Sequence, residues 1–319
     1  MPPEAAIVAR GLTKRFGDLV AVNAIDLEIR RGEVFGFLGP NGAGKSTTIR
    51  MLCGILDPTA GEAEVLGYNV RTQAELLKAR LGYMSQRASL YADLTVTEQL
   101  DFYARIYGLD AATRREKVGG WIATSGLAGR EQDLVATLSG GWRQRLALGC
   151  AVMHHPELLM LDEPTSGVDP QSRREFWELI YRFADEGTTV MVTTHYMDEA
   201  EHCDRLAFIY GGRIVAEGVP AEIKRRHLPG ELLEVVCDEW MQAIDLVRAS
   251  PHVLEAALYG TAIHALVHEA GPAREALTRD LAAAGVHVHR IAPISPTLED
   301  VFVALVDRPA AGAEAGGDG

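Results

Sequence analysis

LSGGWRQR (138–145), followed a short helix later by LLMLDEP (158–164), carries more structural information than any other segment of the chain. Ser139, Gly140 and Gly141 are small residues at the start of an expected helix, so their backbone N–H groups should be unobstructed. Such a helix start attracts anions through its unpaired donors and the positive end of the helix dipole. The run after it is apolar until its end, where Asp162 and Glu163 stand together. A buried parallel sheet delivers side chains to a ligand crevice at the carboxyl ends of its strands. Alone, an apolar run ending in Asp-Glu is equally well a strand that simply terminates; its position after LSGG favours a functional pair.

A second anion site lies far upstream. GPNGAGKST (39–47) fits G-x-x-x-x-G-K-[ST] at Gly39, Gly44, Lys45 and Ser46, with Asn41 and Gly42 inside the loop and Thr47 directly after it. It follows the apolar run VFGFL and precedes the helical run TTIRMLCGIL, the strand–loop–helix context the motif requires. The glycines let the backbone wrap phosphates, Lys45 neutralises β and γ oxygens, and Ser46 reaches a magnesium ion. By chance the pattern arises in a chain of this size on the order of 1% of the time. A nucleotide with Mg2+ is the expected ligand.

The ordered set of phosphate loop, LSGG helix start and strand ending in Asp-Glu resembles the ATP-binding cassette family. In that family the signature of one subunit covers the γ-phosphate held by the other subunit's phosphate loop, which implies a head-to-tail homodimer with two shared ATP sites. The resemblance implies that Asp162 holds magnesium through water and that Glu163 orients and deprotonates the attacking water. TTVMVTTH (188–195) is a buried strand ending in His195, at the family's switch position beside the γ-phosphate. Gln86, in LGYMSQ, matches the glutamine that touches magnesium and water and responds to the transport partner. SGVDP (166–170) matches the loop through which the two sites communicate, with Asp169 its polar contact. Phe16, in TKRFG, stands where the family stacks a ring on adenine; plain core packing is the alternative. Ser139 and Gly141 would meet the partner's nucleotide. One departure is Trp142, which replaces the glutamine usual after LSGG and offers an indole N–H or added packing instead.

With 319 residues and 47% hydrophobic composition the chain suits two domains with full cores. Lys plus Arg number 31 against 44 Asp plus Glu, a formal net charge of −13. That balance argues against binding along a nucleic acid backbone. No apolar stretch approaches the roughly 20 residues that span a bilayer, and MPPEAAIVAR lacks a signal-peptide core. A cytoplasmic protein, peripheral on the membrane face and dependent on another chain for its spans, is expected. Cys53, Cys150, Cys203 and Cys237 show no metal spacing and read as reduced packing residues. His287 and His289 lie two apart on an expected strand and so share a face; a polar sheet face accounts for them, and a metal site is conceivable.

Ile25, Leu27 and Ile29 alternate with Asp26, Glu28 and Arg30, the period of a half-exposed strand. From about residue 88 to 149 the pattern turns helical, with Thr95 or Thr97 as cap and Leu100, Tyr103 and Tyr107 on one face. In cassettes this insertion is the helical subdomain, whose surface beside Gln86 receives a membrane subunit; Leu90, Tyr91 and Leu94 are candidates for that contact. RLAFIY, Gly211-Gly212 and RIVAEG form a hairpin closing the cassette near Gly218. PAEIKRRHLPG reads as a polar and basic connector. Beyond it the order strand, helix, strand, strand, helix, strand is the βαββαβ ferredoxin-like arrangement, without a catalytic grouping. PISPTLEDVFVAL (293–305) resembles the end of type-2 exporter ATPases, the group that includes drug-resistance ATPases paired with six-span permeases. Thr297 can cap its helix, with Leu298, Val301, Phe302 and Leu305 on one side. The tail, 309–319, has too little hydrophobicity to fold.

The expected architecture is therefore α/β: a P-loop NTPase cassette (1–218) with antiparallel β and helical subdomains, then a small α+β ferredoxin-like domain (219–308). The expected function is the ATPase subunit of an exporter with a separate multi-span permease and no nucleic acid partner. Rivals are a soluble cassette of the translation or repair type, an importer ATPase, and an ATPase without permease.

Overall fold

The alternating strand becomes β2 (Leu19–Arg30), paired antiparallel with β1 (Ala5–Phe16). Ile25, Leu27 and Ile29 are buried while Asp26, Glu28 and Arg30 face water. With β4 (Ala60–Val65) and β5 (Tyr68–Asn69) these strands form a four-stranded sheet ordered β2-β1-β4-β5. The computed structural model describes residues 5–86, 89–228 and 230–307, and the chain divides after Glu217 into two compact units.

The second sheet of the first unit has six strands in the order β10-β9-β3-β8-β7-β6. They are β3 (Val34–Leu38), β6 (Leu81–Met84), β7 (Leu158–Asp162), β8 (Thr189–Thr194), β9 (Arg205–Tyr210) and β10 (Arg213–Gly218). β3 pairs parallel with β8 and β9, and β7 pairs parallel with β6 and β8. Every residue of β3, β7 and β8 is buried, as a parallel sheet covered on both faces demands. The register sets Leu38 opposite Thr194, and Asp162 opposite Thr193. The phosphate loop, the Asp-Glu pair and His195 thus emerge together at the carboxyl ends of these strands.

Helix α1 (Lys45–Leu52) follows β3, and the short α2 (Ala74–Lys78) precedes β6. The helical insertion comprises α3 (Val96–Ile106), α4 (Ala111–Thr124) and α5 (Gly140–Val152). Thr95, not Thr97, caps α3, in a capping box with Glu98. Leu100 is buried, and Tyr103 and Tyr107 pack half-buried on the same cluster. α6 (Pro170–Asp185) and α7 (Met197–Ala200) complete the unit. All four cysteines are free and buried; burial pushes the Cys150 thiol up to about 12, in keeping with inert packing.

In the second unit the connector departs from expectation: it forms α8 (Pro220–His227). Pro220 at the first helical turn supplies a preset φ, and Ile223, 1% exposed, anchors the apolar side that the basic residues hide in the sequence. Then come β11 (Glu231–Cys237), α9 (Trp240–Ala249), β12 (Val253–Tyr259), β13 (Ala262–Val267), α10 (Ala270–Ala283), β14 (Val288–Ile294) and α11 (Leu298–Asp307). The sheet order β12-β13-β11-β14, antiparallel throughout, is that of a ferredoxin-like sheet. Leu233 and Val235 of β11 and Ile263 and Ala265 of β13 form a core with Val247 of α9 and Leu277 of α10. Thr297 caps α11 and exchanges bonds with Asp300. The buried stripe of α11 is Leu298, Val301 and Ala304, with Phe302 and Leu305 only half-buried. The segment 309–319 lies outside the described residues.

Candidate nucleotide site

The phosphate loop turns into α1 at Gly44, whose φ of +111° suits glycine and whose added Cβ would lie 2.6 Å from the Ala21 carbonyl oxygen. Lys45, the next residue, is only 4% exposed. Its Nζ donates to the carbonyls of Gly39 (2.8 Å) and Pro40 (3.2 Å) and lies 3.0 Å from Glu163 Oε1. Asn41 and Gly42 are exposed on the loop, and Thr47 is half-buried in the first turn of α1.

Ser46 Oγ donates to Asp162 Oδ1 (3.0 Å), joining the loop to the end of β7. Thr193 Oγ1 donates to the same oxygen (2.8 Å). Asp162 Oδ2 is buried without a hydrogen-bond partner among the described residues. An orphaned carboxylate oxygen beside a serine hydroxyl fits a hard cation such as magnesium, which prefers oxygen ligands and keeps several waters.

Glu163 collects the remaining groups. Gln86 Nε2 donates to its Oε2 (2.9 Å), and His195 Nδ1 lies 3.3 Å from that oxygen without hydrogen-bond geometry. The backbone of Glu163 has φ +49°, a costly conformation for a residue with a side chain. It is held there because its N–H donates to both the Thr193 carbonyl (3.1 Å) and the Thr193 hydroxyl (3.0 Å). Sequence reasoning missed Thr193, yet a hydroxyl inside a fully buried strand must find a partner, and that signal was present in TTVMVTTH.

Glu199 was missed as well. Only 1% exposed, it accepts from Thr165 Oγ1 and lies 3.3 Å from Arg173 Nε, tying α6 and the residue just before SGVDP to α7. Burial raises its pKa above the ordinary carboxylate value.

The structure thus brings Lys45, Ser46, Gln86, Asp162, Glu163 and His195 together. It does not bring Ser139 and Gly141 to them: no hydrogen bond among the described residues joins the signature to that cluster. Ser139 is exposed at the N-cap of α5 and its side chain makes no capping bond. Gly141 is buried, and α5 approaches α6 so closely there that an added Cβ would lie 2.6 Å from Ser172 Oγ. Asp169 caps α6, accepting from the backbone of Gln171 (3.1 Å) and Ser172 (3.0 Å). Phe16 is 49% exposed with Lys14 Nζ 5.3 Å from its ring centroid, so it is not a core residue. Trp142 is half-buried, its ring within 4.9 Å of the Arg130 guanidinium and 4.8 Å of that of Arg145.

The model of the ABC transporter family matches residues 22–166, and that of the ATP-binding protein DrrA1-3-like C-terminal domain matches residues 218–306. A probable multidrug ABC transporter ATP-binding protein, YbhF of Escherichia coli, is 48% identical over 223 residues. The match covers 70% of this chain but only 39% of that relative's length. The Nod factor export ATP-binding protein I of Cupriavidus pinatubonensis is 37% identical over 308 residues, covering 95% of this chain and 91% of the relative. Among solved structures, cbiO1 of Clostridium perfringens, part of an ABC transporter complex, superposes with a TM-score of 0.64 at 28% identity, over 69% of this chain and 90% of the other. With the phosphate loop, the Asp-Glu pair and His195 at the carboxyl ends of β3, β7 and β8, the chain belongs to the ATP-binding cassette family, in the type-2 exporter group that carries a DrrA-like C-terminal domain.

Proposed function

We propose that this chain is the ATP-binding and ATP-hydrolysing subunit of an exporter, working as a homodimer on the cytoplasmic face of a separate multi-span permease. The observation that carries the ATPase assignment is the constellation around Glu163. Its carboxylate is shared by Lys45, Gln86 and, at 3.3 Å, His195. Phosphate oxygens compete with Glu163 for the Lys45 ammonium; once they win, Glu163 is released as a base for water. ATP binding and assembly of the hydrolytic group are thereby coupled through one ion pair.

Ser46 and Asp162 would hold magnesium, with Gln86 reaching it, and the ion would neutralise charge developing on the phosphates. Phe16, exposed at the end of β1, would stack on adenine. Ser139 and Gly141 are assigned to the nucleotide of the second subunit, and Asp169 to communication across the dimer. Their separation from the Lys45 cluster is consistent with that division, since one nucleotide need not touch both within one subunit. ATP is the only ligand able to bridge the two, so its binding energy closes the dimer and its hydrolysis reopens it.

For the permease, support comes from the relatives named for export and from an exposed apolar patch in the helical insertion. Tyr91 (50% exposed) meets Phe102 (36%) edge-on at 5.2 Å, with Ile106 (60%) on the same helix as Phe102. Leu90 packs half-buried and Leu94 is partly covered, which leaves Tyr91 as the exposed member of that trio. No described helix is long and apolar enough to cross a membrane, so the spans would come from another chain. The cargo would be selected there too. The test is to isolate the Glu163→Gln chain from its native membranes with MgATP: one polytopic partner is expected, whereas recovery of ribosomes would favour the soluble rival.

A further inference from the structure

The second unit carries a group of side chains that the ATPase does not use. β14 is the edge strand of the sheet, and the residues entering it alternate: Val286 is buried, His287 exposed, Val288 partly covered, His289 exposed. The pairing with β11 slips between Val236 and Cys237, whose partners are Arg290 and Val288. His289 is therefore the extra residue of a bulge, a device that re-aims a side chain. On the neighbouring strand Asp238 follows directly, and its N–H donates to the His287 carbonyl (3.2 Å).

Three potential ligands converge. His289 Nε2 lies 2.6 Å from Asp238 Oδ1, His287 Nδ1 lies 3.4 Å from Asp238 Oδ2, and the two imidazoles meet edge-on with centroids 4.8 Å apart. One ligand atom from each residue falls within 4.8 Å of the others. A tetrahedral zinc ion with bonds of about 2.0–2.1 Å holds its ligand atoms about 3.3 Å apart, so the closest pair opens and the widest closes, adjustments that small turns of exposed side chains supply.

The geometry points to a surface binding site for one divalent transition-metal ion of the imidazole-preferring class, such as Zn2+, ligated by Asp238, His287 and His289. Two imidazoles and one carboxylate suit zinc, nickel, cobalt or copper and disfavour magnesium, so the site is chemically distinct from the nucleotide centre. Three protein ligands leave a fourth position to water. The bound ion pins the edge strand to the turn between β11 and α9, ordering one end of the sheet. This site stands independently of the ATPase assignment.

The experiment is calorimetric titration of the tag-free full-length chain with ZnCl2 in the absence of nucleotide, repeated on His287→Ala, His289→Ala and Asp238→Asn. The wild type should bind one zinc per chain that each histidine variant loses or binds at least about tenfold more weakly. Substituting Co2+ should give a visible absorption band that disappears in the same variants. All three residues are exposed and outside the nucleotide site, so MgATP turnover of the variants, measured without zinc, should match wild type and report that they are folded. Absence of saturable zinc binding by the wild type, or equal zinc affinity in the histidine variants, overturns the site.

Discussion

Replacing Thr193 with valine keeps the volume of a fully buried side chain and removes its hydroxyl. Two bonds go with it: the 2.8 Å donation to Asp162 Oδ1 and the 3.0 Å acceptance from the Glu163 N–H. A hydrogen bond to a charged group is worth about 1.5–3 kcal/mol and a neutral one about 1 kcal/mol. Part of this is offset, because Asp162 Oδ1 keeps the Ser46 hydroxyl and the Glu163 N–H keeps the Thr193 carbonyl. A net loss of about 2 kcal/mol is expected, which for a domain of cassette size lowers the melting temperature by about 4–8 °C. The functional effect is separate: the strained φ of +49° at Glu163 loses one of its two tethers, and a positioning loss of about 1.4 kcal/mol is tenfold in turnover. Thermal unfolding and steady-state MgATP hydrolysis are the assays, with Thr193→Ser as the control that keeps the hydroxyl and should retain turnover. If Thr193→Val melted within about 1 °C of wild type and hydrolysed ATP within about twofold, Thr193 would not be what organises the Asp-Glu pair.

Trp142→Gln should change turnover by less than about tenfold, because the indole's contacts are to the Arg130 and Arg145 guanidiniums, worth about 0.5–2 kcal/mol each; a larger change in steady-state hydrolysis would assign the indole a part in the chemistry. Asp300 is subject to burial, which raises its pKa, but bonds from His264 and Thr297 outweigh it, leaving the folded pKa below the ordinary 3.8. Its contribution to stability is therefore complete above the unfolded pKa and lost as pH falls through the folded one. Asp300→Asn should unfold more easily in urea at pH 7 than wild type, with the difference shrinking below about pH 4; a difference constant from pH 7 to pH 3 would contradict this assignment.

The nucleotide cluster was legible in the sequence because its members sit at strand ends and in a glycine loop, where local pattern and sheet position coincide. Lys45, Ser46, Asp162, Glu163 and His195 follow from three parallel strands whose register the apolar runs already imply. Thr193 was less visible because its part depends on a cross-strand neighbour, which one-dimensional pattern does not encode. Likewise Glu199 looks like an ordinary acidic residue in MDEAEH until Thr165 and Arg173 fold over it. The helix within the connector was hidden for a compositional reason: Lys224, Arg225 and Arg226 dominate PAEIKRRH, while the buried residues of the helix are Pro220 and Ile223. For α11 the buried stripe passes through Ala304, while Phe302 is only half-buried. The slip in the β11–β14 pairing, which leaves His289 as the extra residue beside Asp238, is a register effect of the same kind.

One variant bears on whether ATP is shared between two subunits and cleaved by Glu163-activated water. Glu163→Gln retains the side-chain length and removes the base, an effect of about 10²–10⁴ in rate. Its mass should be measured by light scattering with saturating MgATP, alongside phosphate release. The expected result is a dimer in MgATP, a monomer without nucleotide, and turnover lower by at least about a hundredfold. A variant that remained monomeric in MgATP, or that hydrolysed at the wild-type rate, would contradict the shared-site account.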